Sequence, residues 1–112
     1  MWEYHAEVLR VVDGDTVDVR VDLGFHCHYR VRVRLHGINA PESRTRNKEE
    51  KIRGLAAKER LEQLIGGKNV VLKSHGLGKF GRCLGELSVG SKNINQTLID
   101  EGHAVEYHGG KR

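Results

Sequence analysis

The stretch RVRVRLHGINAPE, residues 30–42, sets Arg30, Arg32, Arg34 and His36 at every second position and then breaks into Asn39-Ala40-Pro41-Glu42. On a strand that spacing turns all the cations to one face. Arginine is the cation suited to phosphate, because its planar fork offers two parallel hydrogen bonds and never deprotonates. The plainer reading of Arg30 and Arg32 is a solvated strand face, and a phosphate-steering surface is the alternative. His26 and His28 flank Cys27 in a spacing that could bind a transition metal, although a solvated hairpin end is the simpler reading. DGDT at 13–16, taken alone, is a favoured hairpin turn.

The chain that must position these residues has 112 residues, enough for one domain with a single core. Its net charge is +4 and its pI about 9.3, compatible with a polyanionic partner. Apolar runs fall far short of a membrane span. Near the amino terminus Glu3, His5 and Glu7 interrupt what a secretory signal would need to keep apolar, so the chain reads as cytoplasmic or already trimmed. Cys27 and Cys83 match no CxxC spacing, and two free thiols are expected rather than a disulfide.

Strands come first. From Ala6 the residues Val8, Leu9, Val11 and Val12 read as one, with DGD as the turn. Val17, Val19, Val21 and Leu23 then alternate with Asp18, Arg20 and Asp22, and Tyr29, Val31, Val33 and Leu35 form a third apolar face opposite the arginines. Residues 43–53 hold five basic and two acidic residues around one apolar side chain, which suggests an exposed loop that could steer substrate. After Gly54 the period changes: Leu55, Ala57, Leu61, Leu64 and Ile65 predict a helix stopped by Gly66-Gly67. Residues 69–73 and 82–89 predict a fourth and a fifth strand, and a second helix is expected over 94–101 with Ile94, Leu98 and Ile99 inward. The tail 108–112 should be frayed. Mainly β with two helices, in this order, fits a five-stranded OB-fold barrel with one helix between strands 3 and 4 and another after strand 5.

Three separated segments, VVDGDTVDV at 11–19, RLHGINAPE at 34–42 and GRCLGEL at 81–87, resemble the staphylococcal nuclease (thermonuclease) family in identity, order and spacing, and LIDEGHAVEY at 98–107 is similar to the helix and glycine that follow. The resemblance runs from about residue 5 to 107, so residues 1–107 are expected to be a single domain of this type. It implies a calcium-dependent phosphodiesterase that cuts DNA and RNA to 3'-phosphate and 5'-hydroxyl ends; a monomer without a membrane partner is expected. It also implies roles. Asp15 matches a metal-binding carboxylate and Asp13 an acid acting through water. Arg34 and Arg82 match the two arginines on the scissile phosphate, and Glu42 the general base. Lys79 and Phe80 match a lysine and an aromatic on the nucleotide, and Tyr107 a base-stacking tyrosine. Asn39 stands where the family usually has a second aspartate on the metal, followed by Ala40, whose carbonyl ligates. The prototype's third helix has no counterpart here.

The residues suit that chemistry. Asp15 and Asn39 offer hard oxygens, which favour calcium over zinc, but only one is charged, so weak calcium binding is expected. Pro41 biases Ala40 to extended backbone and holds its carbonyl in one direction. The rival function is an OB-fold that binds nucleic acid without cutting it; the presence together of Asp15, Arg34, Glu42 and Arg82 favours the nuclease. For Phe80 and Tyr107 base stacking stands against a core or rim position, and for Arg82 phosphate binding stands against protection of a strand edge.

Overall fold

Alternating valines build the first sheet. In the computed structural model, which describes residues 2–77 and 83–107, β1 (Trp2–Asp13), β2 (Thr16–Asp22) and β3 (His28–Leu35) form an antiparallel meander. Val17, Val19, Val21, Val33 and Leu35 are buried, as period-two patterning requires. Leu23 and Tyr29, expected on the same inner faces, are 50% and 53% exposed, at the end of the hairpin where the core stops at Val21. That turn is tight: the Cys27 amide donates to the Gly24 carbonyl (2.9 Å) across Phe25 and His26, both at positive φ. Cys27 is exposed there and Cys83 is buried, both as free thiols.

β1 starts at Trp2, four residues earlier than the pattern suggested, because Trp2–Glu7 pair with Asn69–Ser74 of β5 (Asn69–Leu77). A bulge between Val8 and Arg10 turns Leu9 outward, which a run of apolar residues could not reveal. β5 is longer than the expected 69–73 and pairs antiparallel with β6 (Cys83–Val89). Parallel pairing of β3 with β6, Val33 opposite Cys83 and Leu35 opposite Gly85, closes a five-stranded barrel, the OB-fold. Three short strands were not anticipated: β7 (Lys92–Asn93) pairs antiparallel with the end of β6, and β4 (Ile38–Asn39) pairs with β8 (Val105–Glu106).

The first helix, α1 (Lys48–Ile65), begins inside the segment read as a loop. Asn47 caps it, its side-chain oxygen accepting the Glu50 amide (3.1 Å), while Glu49 and Glu50 face the positive end of the helix dipole. The polar composition of residues 48–53 reflects a solvated first turn. Gly54, Ala57, Leu61 and Ile65 form the buried stripe, and Leu55, expected to join it, is 46% exposed. The second helix, α2 (Ile94–Asp100), buries Ile94, Asn95 and Leu98, with Ile99 packed at the edge of the core. Among the described residues no helix is long and apolar enough to cross a membrane.

Candidate active site

The site forms where the β1–β2 turn meets the end of β3. Thr16 lies opposite Arg34 in the ladder, and the Leu35 amide donates to the Asp15 carbonyl (2.8 Å), so register alone brings Asp15 beside Arg34. The Asp15 carboxylate is buried, with its side chain 7% exposed. Its Oδ1 accepts the Thr16 hydroxyl (3.0 Å) and its Oδ2 the Ala40 amide (2.9 Å), which fastens the Asn39–Pro41 segment to the barrel. Arg34 is held by its own strand end, Nη1 donating to the Leu35 carbonyl (2.9 Å). Its Nη2 lies 3.5 Å from Asp15 Oδ2 and 3.4 Å from Asn39 Oδ1. Two oxygens therefore converge on one cationic nitrogen.

Neighbouring elements fix this geometry. The β4–β8 ladder sets Asn39 opposite Val105, and the Tyr107 amide donates to the Gly37 carbonyl (2.8 Å), placing the Tyr107 ring 6.0 Å from the Arg34 guanidinium carbon. Buried Asn95 donates to the His36 and Gly85 carbonyls (2.9 and 3.3 Å) and accepts the Leu87 amide (3.3 Å), tying α2 to the turn after β3. His36, last of the alternating cations, stacks on His75 with 4.1 Å between ring centroids and so leaves the line of arginines.

Glu42 is exposed and, with Asn39 and Ala40, lines a groove of about 600 Å³ whose other walls include Arg53 of α1 and His103. The path of its backbone depends on Gly54: a Cβ there would stand 2.3 Å from the Glu42 carbonyl oxygen. Gly14 permits a similar approach, since a Cβ would meet that of Ala57 at 2.6 Å. Asp13 belongs to the same junction; its Oδ1 accepts both the amide (3.3 Å) and the hydroxyl of buried Ser43.

Of the residues singled out in the sequence, Asp15, Arg34, Asn39 and Ala40 are in mutual contact, Tyr107 sits against Arg34, Glu42 shares a groove with Asn39, and Asp13 lies across the turn on Ser43. Lys79, Phe80 and Arg82 lie outside the described residues. Thr16, Ser43, Asn95, Arg53 and His103 were missed. Hydroxyl and amide side chains carry no signal in a single sequence until the fold brings a carboxylate or carbonyl to them. Among the described residues no three of His, Cys, Asp and Glu group as a metal site. The oxygens of Asp15 and Asn39 nevertheless meet at a point occupied by a positive charge, so the donor set fits a hard cation, with a single formal charge to hold it.

Residues 32–112 match the family described as staphylococcal nuclease homologue. The chain is 32% identical to a micrococcal nuclease of Shigella flexneri, covering 94% of this chain and 59% of that protein. It is likewise 32% identical to the protein ParB of Escherichia coli (94% and 58%) and 30% identical to an uncharacterized endonuclease of Escherichia coli O157:H7 (94% and 62%). It thus spans about three fifths of the length of these relatives. With a closed barrel and two helices, and with these matches in sequence, this chain belongs to the staphylococcal nuclease homologue family.

Proposed function

We propose that the chain is a calcium-dependent phosphodiesterase that cleaves DNA and RNA to 3'-phosphate and 5'-hydroxyl ends. The observation that carries this reading is the convergence of Asp15 and Asn39 on Arg34, a half-ordered arginine fork set beside hard oxygen donors at one end of the barrel. Relatives named nuclease and endonuclease that align with 94% of the chain support it.

Arg34 is the fork for a non-bridging oxygen of the scissile phosphate, and Arg82 supplies the second. Each donor acts where negative charge grows during attack, and the loss of one such group costs about 3–4 kcal/mol in comparable sites. The Leu35 carbonyl and Asp15 hold the Arg34 plane in advance, so little ordering remains at the moment of reaction. Glu42, exposed in the groove, accepts a proton from the attacking water as its oxygen bonds phosphorus; the bond from phosphorus to the 5'-oxygen breaks, and that oxygen takes a proton from solvent to leave as the 5'-hydroxyl. Asp15, Asn39 and the Ala40 carbonyl would hold the calcium ion, with Asp13 acting through water, and when bound the ion would supply further positive charge to the phosphate. Tyr107, Lys79 and Phe80 contact the nucleotide, stacking being worth about 1–3 kcal/mol per base.

The experiment is incubation of the purified chain with denatured DNA or RNA, in calcium or in chelator, with analysis of product ends. Calcium-dependent shortening to 3'-phosphate ends is the expected result. Binding without cleavage at millimolar calcium, or cleavage unaffected by chelator, overturns the reading.

A further inference from the structure

Beyond the junction, one stretch of the meander's outer face gathers Arg10, Arg30 and Arg32 around a single carboxylate, Asp18. Across the ladders Arg20 lies opposite both Glu7 and Arg30, and Asp18 opposite both Arg10 and Arg32. The two carboxylates in these ladders are each engaged by one partner: Glu7 by Arg20 at 2.9 Å, and Asp18 by Arg32 through two hydrogen bonds, at 2.8 and 3.3 Å. Arg10 and Arg30 are exposed, and among the described residues no carboxylate lies within ion-pair distance of either. Arg30 also faces a second arginine directly, a pairing that opposes folding.

These cations border a groove of about 400 Å³. Its walls are Arg10, Arg30, Arg32 and Asp18, and Leu9, turned outward by the β1 bulge, and Val31 give it an apolar side. Its β3 wall leads towards the candidate site, because Arg30, Arg32 and Arg34 alternate on one face of β3 at intervals of about 6.6 Å, two residues of strand rise. That interval is close to the spacing of successive phosphates on an extended single strand. Asp18 grips Arg32 at two atoms and so fixes the direction of its fork, while the excess charge resides in Arg10 and Arg30.

We propose that this groove is a binding site for the backbone of single-stranded nucleic acid, extending the substrate path beyond the scissile phosphate, with Arg30 of β3 and Arg10 of β1, on either side of the groove, on its phosphates and Leu9 and Val31 beneath the sugars. The assignment rests on the placement of the scissile phosphate at Arg34. A single strand is favoured over a duplex because the apolar side chains Leu9 and Val31 lie among the cations, a surface that the exposed sugars and bases of one strand can cover and a duplex, with its bases paired inside, cannot. The site determines how strongly long substrates bind relative to short ones.

The test measures binding of a dinucleotide, a long oligothymidylate and a duplex of equal length to the whole chain in chelator, across a salt series. Arg10→Gln with Arg30→Gln should weaken the long single strand by on the order of tenfold and flatten its log affinity against log salt by about 0.7 for each phosphate no longer neutralised. The weakening should be concentrated on the long strand, small for the dinucleotide and smaller for the duplex. Both arginines are exposed, and circular dichroism checks that the fold survives. Arg20→Gln, on the same face but engaged by Glu7, should change the long-strand affinity little. Unchanged affinity and slope in the double variant overturns the proposal, and so does an equal weakening from Arg20→Gln, which would mark a diffuse field in place of a groove. A chain that binds but never cleaves in calcium removes the nuclease reading and leaves this comparison able to decide the groove.

Discussion

Arg34 shows how much chemistry a single position can be made to do by its neighbours. Its charge and its place on the basic face were legible from alternation, but its two carbonyl and carboxylate supports depend on strand register and on the fold of residues 37–41. Asn39 is the residue at which sequence and structure bear on each other most closely. The family pattern marks it as a missing charge, and its Oδ1 stands 3.4 Å from the same nitrogen that Asp15 approaches. Asn39→Asp adds a carboxylate at that point. Calcium affinity, measured by calorimetric titration, should rise, together with the cleavage rate at low calcium. If neither moves, Asn39 does not hold the ion. Ser43 and Thr16 could not be foreseen, since a hydroxyl becomes a carboxylate partner only when distant segments meet.

At the scale of elements, the meander and the stripe of α1 were readable because their periods of two and of roughly 3.6 are written locally. The start of α1 was not. Residues 48–53 have the composition of a loop, and only the Asn47 cap and the acidic first turn identify them as helix. The β4–β8 ladder was also invisible, as two-residue strands have no period. What fixes the position of Glu42 is the approach of α1 to the chain after β4, made possible by Gly54. Gly54→Ala would place a methyl against the Glu42 carbonyl and the Ser43 amide, where neither backbone can yield cheaply. The variant should lose about 1–3 kcal/mol of stability by urea unfolding, as overpacked interiors do, and its cleavage rate should fall with the displacement of Glu42. A variant as stable as the parent would show that this close approach is readily relieved.

For the molecule as a whole, the order of strands and helices pointed to an OB-fold, yet the closure itself, β3 against β6 in parallel, joins segments about fifty residues apart and leaves no local mark. A second long-range tie links the helices: Arg60 of α1 donates to Glu101, just past α2, from Nε and Nη2 at 2.6 and 2.9 Å. The hydrogen bond from Arg60 holds the Glu101 carboxyl below the usual glutamate range, and Arg60 is correspondingly raised. Because the folded carboxyl is depressed, its contribution is fully present above the ordinary glutamate pKa and is lost as the pH falls through the lowered value. Glu101→Gln should lower the Tm at neutral pH, and the two melting curves should converge under acid; a gap that persists in acid would contradict the assignment.

All of these features serve one claim, that the junction of Asp15, Arg34, Asn39 and Glu42 is a phosphodiester-cleaving centre. The most direct measurement is the single-turnover cleavage of a single-stranded oligonucleotide in saturating calcium by the parent and by Glu42→Gln, with folding verified by melting. Glu42 is exposed and makes no part of the core, so the variant should fold and bind as the parent does. Loss of a proton acceptor should slow cleavage by about 10²–10⁴-fold. An unchanged rate in a folded, substrate-binding variant would contradict the claim.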